Sequence, residues 1–197
     1  MVNRSFQFPL GIGTDICKIS RIYNILASKQ GPKFVNKLLT EQERQQPRSQ
    51  QILNDAFSVM HDQMKSLDQP FVFRFTRSEQ ERFIPALQKA AEFIAGRFAA
   101  KEAAIKAHTS RKLSFHSIEI RRQALAEPES TMADLRGEDG AASEPQTSEQ
   151  QLSSGPPIAV IRGRKDGDKD QVALLSISHD GDYATAVCLA YLGENAS

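Results

Sequence analysis

The 197-residue sequence predicts an α+β fold, in which a mostly antiparallel sheet packs on one long central helix. Apolar residues recur at helical spacing over residues 79–108, which predicts one long helix or two abutting ones. Residues 172–179 and 183–191 alternate in polarity and flank Asp180-Gly181-Asp182, the pattern of a β-hairpin. Because hairpins pair antiparallel, the sheet is predicted to be mostly antiparallel.

The segments before the long helix predict one strand and three short helices. Residues 9–19 alternate so that Asp15 lies opposite Ile12 and Ile16 on a strand, with little bulk beside it at Gly11 and Gly13. The first predicted helix begins after an N-cap at Ser20 and ends at Gly31-Pro32. The second covers Lys33 to Leu39, and the third opens on a Thr40-x-x-Glu43 capping box.

The remaining elements are predicted from shorter patterns. Gly96 marks a weak point in the long helix or a place where another backbone comes close. The segments predict in order a polar break at 45–51, a helix at 52–67, a short strand or loop at 69–76, strands at 113–121 and 158–163, and a turn at 165–170.

Composition predicts a single domain over residues 1–197, with insertions at 46–80 and 123–157. The second insertion is rich in Glu, Ser, Gln, Pro and Gly, which predicts a mobile loop. Residues 124–157 carry a net charge of −6, so the rest of this +1 chain carries +7. No apolar run approaches the roughly 18 residues of a membrane span. This predicts a soluble protein. Cys17 and Cys188 lie in apolar runs, which favours buried, reduced thiols and therefore a reducing compartment.

Three charged residues are candidates for a site. Glu102 and Lys106 lie one helical turn apart, and most such pairs are solvated surface pairs. Here their neighbours are small and apolar, so another element can pack closely. Asp15 is either reachable by a ligand or an edge-strand carboxylate that faces water. If the fold brings the three together, two carboxylates and a lysine make a site for Mg²⁺ and a phosphate.

Two other motifs fail on geometry. Gly11-x-Gly13 lacks the third glycine and the following helix of a dinucleotide-binding turn. Ser178-His179-Asp180 are consecutive at a strand end, so their side chains diverge and cannot form a catalytic triad.

Five motifs together resemble the holo-[acyl-carrier-protein] synthase type of 4′-phosphopantetheinyl transferase. They cover a little over half of the chain in the order typical of that family, and the joint match is highly specific. They are Gly11-Ile-Gly-Thr-Asp15-Ile with Arg21-Ile22, Ala95-Gly-Arg97-Phe-Ala-Ala-Lys-Glu102-Ala with Lys106-Ala107, Leu113-Ser-Phe115 with Ile118-Glu-Ile120, Ser176-Ile-Ser-His179, and Tyr183-Ala-x-Ala186.

The resemblance implies a role for each matching residue. Asp15 and Glu102 would bind Mg²⁺ as the metal ligands, and Glu102 and Lys106 would be catalytic. Arg97, Lys106 and His179 would bind coenzyme A, and Arg21 would dock the acidic carrier protein. The base that takes the serine proton would be Glu102 or a water on the metal that Glu102 orients. One departure is His108 to Lys112, where family members carry a glycine-containing turn.

The implied reaction transfers 4′-phosphopantetheine from coenzyme A to a serine of an apo acyl carrier protein and releases 3′,5′-ADP. The implied enzyme is a homotrimer of fatty acid biosynthesis with intersubunit active sites, in the mitochondrial matrix or the cytoplasm, with no nucleic-acid or membrane partner. Two alternatives remain open. They are a non-catalytic module that binds carrier proteins or nucleotides, and another Mg²⁺-dependent phosphotransferase.

Overall fold

The computed structural model describes residues 9–64, 77–109, 111–123, 155–163 and 168–192. The predicted strand or loop at 69–76 and most of the predicted mobile loop at 123–157 lie outside these residues. The single-domain prediction and its two insertions therefore stay predictions.

A sheet of five strands forms one layer of the fold, and all of its neighbouring strands pair antiparallel, as predicted. The hairpin is confirmed, since Asp180 pairs with Tyr183 across a two-residue turn in which Gly181 has a φ of 52°. The strand order is β1-β5-β4-β3-β2, with bounds β1 Leu10–Lys18, β2 Ile118–Arg122, β3 Pro157–Ile161, β4 Gln171–Asp180 and β5 Tyr183–Tyr191.

Five α-helices make up the rest of the regular structure in the described residues. Their bounds are α1 Ile19–Leu26, α2 Gly31–Leu38, α3 Glu41–Gln45, α4 Pro47–Met64 and α5 Arg77–Ala107. The long helix is one continuous element, and the predicted capping box is confirmed, because Thr40 and Glu43 exchange hydrogen bonds at the start of α3. No helix in the described segments is both long enough and apolar enough to cross a bilayer.

Two predictions for the first helices are wrong. Ser20 does not cap α1, because the helix begins one residue earlier, at Ile19. Asp182 instead accepts hydrogen bonds from the amide and the hydroxyl of Ser20, each at 2.8 Å. Gly31-Pro32 does not end α1 but begins α2, where a proline in the first turn loses no helical hydrogen bond.

Two further segments differ from the prediction. The predicted polar break at 45–51 is limited to Gln46, because α3 ends at Gln45 and α4 begins at Pro47. Residues 113–121 form a strand only from Ile118, because the hydroxyls of Ser114 and Ser117 close a short 3₁₀ turn before it.

The core lies between α5 and one face of the sheet. Alanines dominate the inner surface of the helix, which lets the strands approach closely, and Cys17 and Cys188 are buried, free thiols as predicted. Burial raises the pKa of Cys188 to about 11. The opposite face of the sheet exposes large apolar side chains, namely Ile12, Ile16, Val172, Leu174, Tyr183, Val187, Leu189 and Tyr191.

Candidate active site

Two glycines allow β1 to lie directly on α5. A Cβ atom built at Gly11 would lie 1.9 Å from the carbonyl oxygen of Ala107, and one at Gly13 would lie 2.0 Å from that of Ala103. Only a residue without a side chain fits at either position. Because strand side chains alternate, Asp15 shares this helix-facing side of β1, as the sequence predicted.

Asp15 forms an ion pair with Lys106 across this strand–helix contact. The Lys106 ammonium lies 2.7 Å from Asp15 Oδ1 and also donates a hydrogen bond to the carbonyl of Thr14 at 3.0 Å. The aspartate side chain is 14% exposed and the lysine side chain is 50% exposed. Asp15 Oδ2 is buried and has no hydrogen-bond partner within the described segments. The carboxylate therefore keeps an unused acceptor.

Glu102 lies one turn before Lys106 on the same helix and is partly exposed. The hydrogen bond from Lys106 to Asp15 is the main cause that raises the pKa of the lysine, and the charges of Asp15 and Glu102 raise it further. Lys106 is thus ion-paired with Asp15, and the charge of Glu102 acts on it from one turn away. Of the three residues that the sequence singled out, Asp15 and Lys106 are in contact, and Glu102 acts on Lys106 through its charge.

The donor set fits a magnesium ion. Within the described ranges, no group of three or more His, Cys, Asp or Glu side chains is placed to hold a metal. A cation held by Asp15 and Glu102 would thus have to take its other ligands from phosphate and water, as Mg²⁺ commonly does at sites that bind phosphates. The unpartnered oxygen of Asp15 can accept such a cation.

Arg21 lies near these groups on α1. Its guanidinium packs over the Phe98 ring at 5.2 Å from the centroid and donates a hydrogen bond to the Cys17 sulfur at 3.5 Å. Phe98 precedes Glu102 by one turn of α5, and Cys17 follows Asp15 by two residues on the same side of β1. Arg21 therefore borders the carboxylate site and is exposed to solvent.

Arg97 and His179 contact other parts of the fold. Arg97 donates a hydrogen bond to the Ile120 carbonyl on β2 at 2.8 Å, and burial lowers its pKa. The His179 ring packs over Gly96, where a Cβ atom would lie 2.9 Å from Nε2, and this nitrogen lies 3.0 Å from the Glu92 carbonyl oxygen. The sequence predicted a weak point in the helix or the close approach of another backbone at Gly96. The structure instead places the His179 side chain against this glycine. Among the hydrogen bonds of the described residues, none joins Arg97 or His179 to Asp15 or Lys106.

Arg111, in the segment that replaces the glycine-containing turn, is also engaged within the fold. Its guanidinium donates a hydrogen bond to the Arg162 carbonyl, just after β3.

One buried ion pair went unpredicted. The Lys101 ammonium is fully buried and lies 2.5 Å from Glu43, with the carbonyls of Leu38 and Phe115 each 2.9 Å away. Glu43 also accepts a hydrogen bond from the Ile120 amide at 3.0 Å. Burial lowers the pKa of Lys101, and the charge of Glu43 opposes that shift. The only signal in the sequence was a lysine within the alanine-rich, buried part of α5.

The chain belongs to the 4′-phosphopantetheinyl transferase superfamily, whose family model matches residues 60–188. It is 33% identical over 121 residues to the holo-[acyl-carrier-protein] synthase of Clostridium novyi. The aligned residues cover 60% of this chain but only 59% of that relative. It is 27% identical over 180 residues to the holo-[acyl-carrier-protein] synthase of a Geobacillus species. This alignment covers 90% of this chain and 92% of that relative.

A solved structure also matches, that of a holo-(acyl-carrier-protein) synthase from Bacillus anthracis in complex with CoA (3′,5′-ADP). It is 24% identical with a TM-score of 0.43, and covers 91% of this chain and 94% of that one.

The family model and the two related synthases confirm the predicted resemblance to the holo-[acyl-carrier-protein] synthase type and the prediction of an enzyme, a transferase. The family model covers Glu102 and Lys106 but begins after Asp15. Both relatives are bacterial, and neither supports the predicted mitochondrial matrix.

Proposed function

We propose that the protein transfers the 4′-phosphopantetheine arm of coenzyme A to a serine of an apo acyl carrier protein and releases 3′,5′-ADP. The observation that carries this proposal is the Asp15–Lys106 ion pair one helical turn from Glu102, which supports a site made of two carboxylates and a lysine. The family model and the related synthases support the same reaction.

In the proposed reaction, Lys106 leaves Asp15 to bind the diphosphate of coenzyme A and to neutralise charge that develops on the leaving oxygen. Half of its side chain is exposed, so it can rotate toward a bound phosphate. Glu102 takes the proton of the attacking serine, directly or through a water. Its partial exposure leaves its carboxylate open to the incoming hydroxyl.

Mg²⁺ held by Asp15 and Glu102 would supply a positive charge that polarises the phosphate oxygens. Asp15 is suited to this role because its buried oxygen has no other partner in the described part of the chain.

The substrate and carrier contacts extend beyond these three residues. Arg21 borders the site from α1, which supports a docking role toward an acidic carrier protein. Arg97 and His179 would bind coenzyme A from their positions on α5 and β4, and both would exchange a present contact for a ligand contact. The carrier would be that of fatty acid synthesis, and the two buried free thiols suit a reducing compartment.

The apolar outer face of the sheet supports the homotrimer and its intersubunit active sites. On this face Ile12 is 69% exposed and Leu174 is 58% exposed. An apolar patch of this kind, on three adjacent strands, is typical of a surface that another protein covers.

A mass measurement tests the reaction. Incubation with coenzyme A, Mg²⁺ and an apo carrier protein should add the mass of phosphopantetheine to the carrier. Glu102→Gln should abolish the addition while the circular dichroism spectrum stays unchanged, and Glu41→Gln, which changes an exposed glutamate of α3, should retain it. Full activity of the Glu102→Gln variant would refute the assigned role, and no mass shift with any carrier in a panel would refute the function.

A further inference from the structure

The Lys106 ammonium occupies the position of a cation on Asp15. It lies 2.7 Å from Oδ1 and 3.0 Å from the carbonyl oxygen of Thr14, so two oxygens of one strand already bind one positive charge. We propose that Lys106 makes this site selective for a divalent cation that arrives together with a diphosphate, and that it discriminates against the free cation. This inference rests on the proposed function and adds a binding preference to it.

Charge explains why a free divalent cation would bind weakly. The formal charges of Asp15, Glu102 and Lys106 sum to −1. A cation that enters alone must displace the ammonium from Asp15 Oδ1 and then lie close to it, because Lys106 follows Glu102 by one turn of α5. Like charges repel at this range.

A diphosphate removes that penalty. The phosphate oxygens offer the ammonium a new anionic partner, and the half-exposed lysine side chain can turn toward them. The Asp15 carboxylate would then be free to bind the cation, since its Oδ2 has no other partner among the described residues. The cation and the diphosphate should therefore bind cooperatively, and each should tighten the other by the same factor.

Binding of Mn²⁺, which accepts the same oxygen ligands, tests this directly. Free Mn²⁺ is measured by electron paramagnetic resonance with and without coenzyme A, and corrected for complexes that form without protein. For the unaltered enzyme we expect coenzyme A to tighten Mn²⁺ binding on the order of tenfold or more. Lys106→Met should bind Mn²⁺ alone on the order of tenfold more tightly than the unaltered enzyme, with a smaller effect of coenzyme A.

Lys89→Met is the matched control. It removes the same charge from an exposed position of α5, about 25 Å along the helix from Lys106 at 1.5 Å per residue. It should bind Mn²⁺ as the unaltered enzyme does. Asp15→Asn should weaken Mn²⁺ binding with and without coenzyme A, which would place the ion on this carboxylate.

Equal affinity of the Lys106→Met variant and the unaltered enzyme for Mn²⁺ alone would overturn the inference, as would unchanged binding to Asp15→Asn. These outcomes are separate from the fate of the proposed function. If the unaltered enzyme modifies a carrier protein while Lys106→Met shows no gain in Mn²⁺ affinity, only the selectivity is refuted.

Discussion

Gly13 sets the distance between the first strand and the central helix. A Cβ atom at this position would lie 2.0 Å from the Ala103 carbonyl oxygen and 2.6 Å from the Ala107 amide nitrogen. Both are backbone atoms of a helix and cannot rotate away, so Gly13→Ala must push β1 outward. We expect it to lower the free energy of unfolding by about 3 kcal/mol or more and to reduce activity, because Asp15 moves away from Lys106. Urea unfolding and initial rates measure the two effects.

Gly181→Asn is the control for this substitution. Gly181 has a φ of 52° and open space around its missing side chain, and asparagine tolerates that conformation better than most residues. It should change the unfolding free energy by less than about 1 kcal/mol. A Gly13→Ala variant as stable as the Gly181→Asn variant would contradict the close packing.

At the residue scale, the sequence predicted the contacts that follow from local spacing. Alternation along β1 placed Asp15 on the side of Gly11 and Gly13, and helical spacing placed Glu102 beside Lys106. The Lys101–Glu43 pair was not predictable in this way, because its members lie 58 residues apart and meet only once α3 packs near α5. A buried lysine shows that a partner must exist but does not show which one.

At the element scale, Asp182 joins the hairpin turn to the start of α1. The hydroxyl of Ser20 is the main cause that lowers the pKa of Asp182 below its ordinary value of 3.8, helped by the Ser20 amide and the charge of Lys18. The folded state therefore releases this proton more readily than the unfolded state. The contact stabilises the fold above pH 3.8 and is lost as the pH falls through the lower, folded-state pKa.

Asp182→Ala should therefore lower stability near neutral pH and lessen the loss of stability on acidification. Urea unfolding near pH 7 and near pH 3 measures the difference. Asp180→Ala, at the end of β4 beside this turn, removes an exposed acid that is not the partner of Ser20, and should behave like the unaltered protein. An Asp182→Ala variant that loses as much stability on acidification as the unaltered protein would contradict this account.

Elements with strong local signals were predicted closely, and elements decided by distant partners were not. The hairpin, the capping box and the long helix depend on turn residues, a Thr-x-x-Glu spacing and apolar periodicity. The start of α1 was misplaced because its capping side chain, Asp182, comes from another element. The strand at 113–121 was predicted too long because two serine hydroxyls favour a turn, an effect that polarity alternation does not register.

At the scale of the whole molecule, the order of the strands could not be predicted from the sequence pattern. Alternation assigns each side chain to a face but does not say which strands are neighbours. The structure places β5 between β1 and β4, so Leu189 lies directly between Ile12 and Leu174. Three separate alternating segments thus form one continuous apolar surface, which no single segment reveals.

This surface predicts a test of assembly. Leu174→Lys puts a charge into the apolar row, and should shift a trimer to smaller species because a buried, unpaired charge opposes association. Activity should fall with it if the active sites lie between subunits. Ile84→Lys changes a similarly exposed apolar residue, 50% exposed on α5, and should leave the assembly intact. Light scattering after size-exclusion chromatography measures the mass.

Because folding and assembly are linked, the thermal midpoint of the unaltered protein should rise with concentration, while that of Leu174→Lys should not. A monomeric unaltered protein, or a Leu174→Lys variant of unchanged mass, would show that the apolar face has another use.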